Sequence, residues 1–139
     1  MNKVGKGSVI SAILVMLVSI GSIGQTQTRL NQDACRRLQG ADVELNRVYN
    51  QILNEYGRET MFIEKLKIAQ RAWLAFRDAH LDSIYPATDQ QSTYGSVYPM
   101  CRCSAMAEIT TQRVAELRKW IKGTQEGDVC SGSIRIKNR

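Results

Sequence analysis

The chain has 139 residues, a net charge of +6 at neutral pH, 43% hydrophobic residues and four cysteines. This length suits one domain with a modest core and leaves no room for a second. The charges alternate in sign instead of forming a basic block, and no nucleic-acid motif is present, which argues against a DNA or RNA partner.

The first 24 residues have the pattern of a secretory signal peptide. Lys3 and Lys6 form a basic start, and an apolar run ends in small residues before a cleavage site after Gly24. The run is shorter than a typical membrane-spanning helix, so no stable anchor is expected after cleavage, and an uncleaved anchor is the alternative. The mature domain, residues 25–139, then carries 17 basic and 13 acidic residues, a net charge of +4.

Apolar residues between Asn31 and Tyr56 recur every three or four positions, which predicts a first amphipathic helix. Gly57 marks the end of this helix. Gly40 lies inside the pattern and costs about 1 kcal/mol relative to alanine, which favours a helix that begins only after it.

A second helix is predicted from Thr60, as its N-cap, to the residues before Pro86, because a residue that precedes proline avoids helical angles. The segment 85–100 shows no helical period and predicts a loop that is longer than usual. The period returns after Cys103, and Gly123 ends this third helix.

The tail, residues 124–139, is polar and too small to pack alone. Its last residues alternate apolar and basic, a pattern that suits a short strand, although fraying is the expected state. The predicted fold class is therefore all-α: a small antiparallel array of three helices with a long connection between the second and third helices, disulfide staples and an irregular tail.

The cysteines, Cys35, Cys101, Cys103 and Cys130, all lie in the predicted exported domain, where an even count predicts two disulfides. Cys101 and Cys103 are only two residues apart, and this spacing disfavours a bond between them. Cys35 and Cys130 are each expected to bond one member of that pair, and the spacing does not decide which one. A metal site is disfavoured because the CxxC spacing of zinc sites is absent.

The sequence contains no recognisable catalytic or cofactor-binding motif. The one histidine, His80, has no nucleophile motif with which to act. Glu64 and Glu108 lack a second carboxylate one helical turn away, and a glycosidase-like acid pair that includes Glu64, Asp78 or Glu108 would have to be assembled across helices. We therefore expect a protein that is not an enzyme and binds no cofactor or metal.

Arg77 and Arg113 lie on the apolar stripes of their helices, where a charge must be paired or stacked. Arg77 follows Trp73 by four residues, so a cation–π contact between them is expected. The structural interpretation pairs these arginines with nearby carboxylates, namely Glu44, Asp78 or Glu108. The alternative interpretation is that they bind a ligand.

Four segments carry a connected set of motifs: TQTRLNQDAC at 26–35, ADVELNRVYNQIL at 41–53, LKIAQRAWLAFRDAH at 66–80 and ITTQRVAELRKW at 109–120. Together they resemble the lysozyme-inhibitor LprI-like domain of bacterial secreted proteins, over nearly the whole mature chain. The matching positions include Asp42, Leu45, Asn46, Tyr49, Gln70, Trp73, Arg77, Asp78, Gly95, Ser96, Thr110 and Arg113.

The resemblance implies a mostly helical, periplasmic or secreted bacterial protein in which the motif residues of the second and third helices form a spine for helix docking. These spine residues are Gln70, Trp73, Arg77, Asp78, Thr110 and Arg113. Leu81 and Ala105 replace the two cysteines of a disulfide usual in the family, so the resemblance also implies a rerouted staple.

The function implied by the resemblance is that of a non-enzymatic binding protein with a protein partner, a lysozyme or another cell-wall hydrolase. Many lysozymes are cationic, so a net charge of +4 gives no steering towards them. An inhibitor would then need a local acidic patch or an inserted loop, and the tyrosine-rich stretch Tyr94, Gly95, Ser96 and Tyr98 is the candidate partner-binding loop. The same stretch can also serve as a surface crossover.

The alternative function is that of a periplasmic structural, envelope-stress or toxin-immunity protein with no lysozyme target. Such a protein would share the export signal and the disulfides, so the sequence features above fit both functions. A measurement of lysozyme inhibition distinguishes them.

Overall fold

The computed structural model describes the backbone of residues 7–137 and the side chains of residues 26–137. The helices are α1 (Gly7–Glu55), α2 (Thr60–Ile84), the short α3 (Gln90–Tyr94), one 3-10 turn (Gly95–Val97) and α4 (Tyr98–Lys122). The predicted all-α class with three long helices is confirmed.

The predicted signal peptide, residues 1–24, lies outside the residues whose side chains are described. Within the described part of the chain, no helix combines the length and the apolar character that crossing a membrane requires.

The helices α1 and α4 form the main interface of the fold. Each contributes buried apolar residues at helical spacing, among them Leu45, Val48 and Ile52 from α1 and Val114 and Leu117 from α4. This pattern is the one from which both helices were predicted.

Tyr56 closes the core where α1 meets the connection to α2. Its ring is fully buried, and its hydroxyl donates a hydrogen bond to the carbonyl of Trp120 at 2.9 Å. Phe62 lies against both rings, with centroid distances of 5.1 Å to Tyr56 and 5.8 Å to Trp120. The aromatic cluster therefore ties α2 to the ends of α1 and α4.

Two predicted helix starts are wrong. The helix α1 runs through Gly40 without a break, because the apolar residues on both sides, Ala34 and Leu45, are buried in the same fold. Burial of the Leu45 side chain, worth about 1.5–3 kcal/mol, outweighs the roughly 1 kcal/mol cost of glycine. Thr60 is the first helical residue of α2, and Glu59 holds the N-cap position instead.

The predicted loop at 85–100 is also wrong, since most of this segment is helical. Asp89 caps α3 by accepting a hydrogen bond from the backbone N–H of Ser92 at 3.0 Å. The helix α4 begins early, at Tyr98, with Pro99 in its first turn, where a missing N–H costs nothing. Helices as short as α3 show too few turns for a period to be read.

One predicted disulfide staple is present, between Cys35 of α1 and Cys103 of α4, whose Cα atoms are 4.9 Å apart. Cys101 and Cys130 are unbonded, so the predicted second disulfide is wrong. Cys101 lies at the start of α4, whereas Cys130 follows its far end. The helix between them spans about 30 Å, which no disulfide can bridge.

The tail returns to the aromatic end of the core instead of fraying. The guanidinium of Arg135 lies 4.0 Å from the ring centroid of Tyr56, and its Nε donates to Glu59 Oε1 at 3.0 Å. A second nitrogen of Arg135 donates to the carbonyl of Glu55 at 2.9 Å. One side chain thus joins the tail to the end of α1 and the start of α2.

Backbone hydrogen bonds hold the tail in the same place. Thr124 N–H donates to the carbonyl of Arg135, and Lys137 N–H donates to the carbonyl of Thr124, both at 3.0 Å. Gly123, with φ at 74°, permits this approach, because a Cβ atom there would lie 2.7 Å from the carbonyl oxygen of Arg135. The expected fraying is therefore wrong for residues up to Lys137.

Candidate binding groove between α1 and α2

Arg77 joins the three long helices at one point. Its side chain is only 13% exposed. Nη1 lies 3.2 Å from Asp42 of α1 and 3.5 Å from the hydroxyl of Thr110 of α4, and Nε lies 3.3 Å from Asp78. The guanidinium also lies 5.4 Å from the ring centroid of Trp73, in the cation–π contact that their spacing predicted.

The carboxylate partners of Arg77 differ in part from the prediction. Glu44 pairs instead with Arg47 at 2.7 Å and Arg118 at 2.6 Å, and these hydrogen bonds lower the pKa of Glu44 to about 2. Sequence reasoning missed Asp42, which lies 35 residues before Arg77, although Asp42 belongs to the second motif of the family resemblance, at 41–53. That motif was the one signal that could have identified it.

Gln70 and Arg113 form a second polar link between α2 and α4. Nε of Arg113 donates to Oε1 of Gln70 at 3.0 Å, and the guanidinium lies 5.9 Å from the Trp73 ring centroid. Burial lowers the pKa of Arg113, although an arginine stays charged at neutral pH. Gln70 and Thr110 are both buried. The structure thus brings Gln70, Trp73, Arg77, Asp78, Thr110 and Arg113 into one network.

A groove of about 620 Å³ opens beside this network, between α1 and α2. The motif residues that line it are Asp42, Leu45, Asn46 and Tyr49 from α1 and Gln70 and Arg77 from α2. The remaining lining residues are Leu53, Lys67, Arg71 and Leu74. Motifs that are separate in sequence therefore meet at one concave surface.

The groove combines apolar walls with excess positive charge. Its one carboxylate, Asp42, is already paired with Arg77. Within the described part of the chain, the side chains of Lys67 and Arg71 have no ion-pair partner, and both are exposed. Such a surface suits a segment that carries a carboxylate beside apolar side chains.

The candidate partner-binding loop is packed on itself and on α1. The rings of Tyr85, Tyr94 and Tyr98 contact one another at centroid distances of 5.2 to 5.7 Å, and burial raises the pKa of Tyr85. Tyr98 is buried, and the amide of Asn31 donates to the carbonyl of Ser96 at 3.0 Å. With Gly95 at the C-cap of α3, this stretch forms a crossover whose tyrosines face each other.

The remaining sequence candidates lie apart from the groove. His80 is exposed and stacks on Phe76, with ring centroids 5.6 Å apart. Among the described residues, no group of histidine, cysteine, aspartate and glutamate side chains is arranged to hold a metal ion.

A disulfide-stapled helical scaffold that presents an open, cationic groove defines a small binding protein. The chain matches the family described as "Lysozyme inhibitor LprI" over residues 22–117, and it belongs to that family. It is also 30% identical over 111 residues to an uncharacterized protein of Rhizobium meliloti (strain 1021). The aligned region covers 72% of this chain and 77% of that protein. No solved structure matches. The family is one of non-catalytic, secreted or periplasmic inhibitors.

Proposed function

We propose that this chain is an exported, non-enzymatic binding protein that inhibits a lysozyme or another cell-wall hydrolase through the groove between α1 and α2. Membership of the lysozyme inhibitor LprI family supports the type of function. The observation that carries the choice of surface is that motif residues of both helices line the same open groove. The packed tyrosine stretch offers no comparable surface.

Recognition in this proposal is local, because two positively charged proteins gain nothing from long-range attraction. Lys67 and Arg71 meet a carboxylate of the hydrolase, and the walls formed by Leu45, Tyr49 and Leu74 cover apolar atoms beside it. Glycoside hydrolases carry two carboxylates at the substrate cleft. A cationic rim that docks near such carboxylates blocks the entry of the substrate.

The test is residual lysozyme activity with a several-fold molar excess of the oxidised protein, against each lysozyme class and other cell-wall hydrolases. We expect inhibition of at least one enzyme. Asn46→Arg, which fills the groove from the exposed side of α1, should abolish the inhibition without unfolding the protein. Ala115→Arg adds the same charge at an exposed site of α4 outside the groove and should leave the inhibition intact.

A failure to inhibit any hydrolase would overturn the proposal and leave the structural, envelope-stress or immunity alternative. A pull-down from envelope extracts would then identify the partner. Inhibition that survives Asn46→Arg would retain the function but refute the groove as its surface.

Export is tested separately, by mass spectrometry of the protein recovered from the envelope of an expressing bacterium. Cleavage after Gly24 should give a chain that begins at Gln25. Recovery of the full-length chain from membranes would show an uncleaved anchor instead.

A further inference from the structure

The helix α2 carries a second apolar stripe on the face opposite to its buried one. The buried residues of α2 are Leu66, Gln70 and Leu81. On the outward face, Ile68, Ala72, Ala75 and Ala79 follow one another by three or four residues, with Phe76 at the edge, and all of these residues are exposed. Ile68 is 52% and Phe76 58% exposed. Two large exposed apolar side chains, Ile68 and Phe76, beside a row of exposed alanines give this face the character of an interaction surface.

Charged residues follow one flank of this outward stripe in a definite order. Lys67 and Arg71 come first along the helix, and Asp78 and Asp82 follow seven and eleven residues after Arg71. Helical spacing places these four residues on the same flank. Within the described part of the chain, Lys67, Arg71 and Asp82 have no side-chain ion pair, and Asp78 is 65% exposed despite its contact with Arg77.

We propose that this outward face of α2 binds the same face of a second copy of the chain in an antiparallel, two-fold symmetric dimer. Two-fold symmetry of antiparallel helices brings identical flanks together. A two-fold axis between residues 74 and 75 places Lys67 opposite Asp82 of the second copy and Arg71 opposite Asp78 of the second copy. Both pairs of opposite charge require the same axis, and each occurs twice in the dimer.

The apolar residues suit the same register. Ala72 and Ala75 lie near the axis, where small side chains allow the two helices to approach closely. Ile68 then lies beside Ala79 of the second copy, and Phe76 lies beside Ala72 of the second copy. The helices overlap over residues 65–84, a contact of about 30 Å. This inference does not depend on the identity of the hydrolase target.

The test measures mass by sedimentation equilibrium, with protein recovered from the envelope of an expressing host and Cys130→Ser as the background. That substitution removes an exposed thiol that could form a covalent dimer by itself. The expected mass is twice that of one chain. Ala75→Glu, which places a charge at the centre of the seam, should give monomers, since position 75 is exposed and the monomer fold does not depend on it.

Charge reversal tests the register. Lys67→Asp and Asp82→Lys should each raise the dissociation constant by about tenfold, because each places like charges opposite one another. An equimolar mixture of the two variants should recover wild-type affinity, since opposite charges then face each other in the mixed dimer. Lys65→Asp, an equal charge change at an exposed site on the other flank, should have little effect.

A wild-type monomer at high concentration would overturn the proposal. A dimer that ignores Ala75→Glu would do the same, and failure of the mixture to recover affinity would refute the antiparallel register. Circular dichroism of each variant confirms that α-helical content is retained, so that a lost dimer is not mistaken for a lost fold.

Discussion

Arg77 shows at the scale of one residue how this fold satisfies a charge on an apolar stripe. Its guanidinium lies against Trp73 and hydrogen-bonds Asp42 and Thr110, so each long helix provides a contact. Stacking on an aromatic ring and a planar set of donors are both specific to arginine. These contacts satisfy the guanidinium without a ligand, which supports the structural interpretation of Arg77.

We expect Arg77→Ala to lower the free energy of unfolding by about 2 kcal/mol, because it leaves Thr110 and Asp42 without a charged donor. Arg77→Lys should cost about 1 kcal/mol, since lysine keeps the charge but not the fork of donors. Urea unfolding measures both changes. Arg102→Ala, at an exposed position of α4, is the control and should shift stability by less than about 0.5 kcal/mol.

Glu44 should make stability depend on acid pH. Hydrogen bonds from Arg47 and Arg118 hold its pKa at about 2 in the folded state, below its ordinary value of 4.5. A folded-state pKa below the unfolded one adds stability above pH 4.5, and this contribution is lost as the pH falls towards 2. In Glu44→Gln, the urea concentration at the midpoint of unfolding should therefore decrease less than in the wild type as the pH falls from 4.5 to about 2.

The control for this prediction is Glu126→Gln, which removes an exposed carboxylate from the tail that has no ion pair within the described residues. It should retain the wild-type dependence on pH. An identical decrease in Glu44→Gln and wild type would contradict the assigned role of the Glu44 pairs.

At the scale of elements, the Cys35–Cys103 bond joins α1 to α4 across 68 residues of sequence. Closing a loop of this length restricts the unfolded chain by about 4 kcal/mol in the chain-entropy treatment. We expect replacement of both cysteines by alanine to lower stability by about that amount, measured by thermal or urea unfolding. Cys101→Ala should have a far smaller effect, because Cys101 is unbonded.

The tail is held to the helices chiefly by Arg135. Arg135→Ala should remove the contacts with Tyr56, Glu59 and the carbonyl of Glu55, and so release the tail. Hydrogen exchange should then accelerate at the amides of Thr124 and Lys137 with α-helical content unchanged. Lys122→Ala, which removes an exposed cation at the end of α4, should leave both amides protected.

At the scale of the whole molecule, net positive charge and a cationic groove rim predict an unusual salt dependence. Association with a cationic lysozyme should become faster as ionic strength rises from about 10 mM to about 150 mM, because the Debye length falls from about 30 Å to about 8 Å and net repulsion is screened. Stopped-flow binding measures this rate. A rate that falls with salt would instead indicate steering by opposite charges.

The two faces of α2 divide the roles of the molecule. One face carries the residues that pack on α4 and line the groove, and the other is an apolar stripe exposed to solvent. The groove and the proposed dimer seam therefore lie on neighbouring sides of the same helix. Lys67 and Arg71 lie on the edge that the groove and the seam share, so the dimer contacts and the proposed hydrolase contacts compete for these two side chains.

The spacing of residues along the chain was enough to predict the helices and their local contacts. Apolar residues at helical spacing, together with Gly57, Pro86 and Gly123, predicted three long helices and their ends to within a few residues, except at the start of α1 and of α4. The stacking of Arg77 on Trp73 was predictable as well, because residues four apart on a helix are always neighbours.

Which distant residues meet depends on how the helices pack against one another. Cys103 rather than Cys101 bonds Cys35, Asp42 rather than Glu44 pairs with Arg77, and Arg135 docks the tail. Each of these choices depends on the rotation and offset of one helix against another, which no spacing within a single helix fixes. The groove has the same origin, since its motif residues come from two helices and are gathered only when α2 packs beside α1.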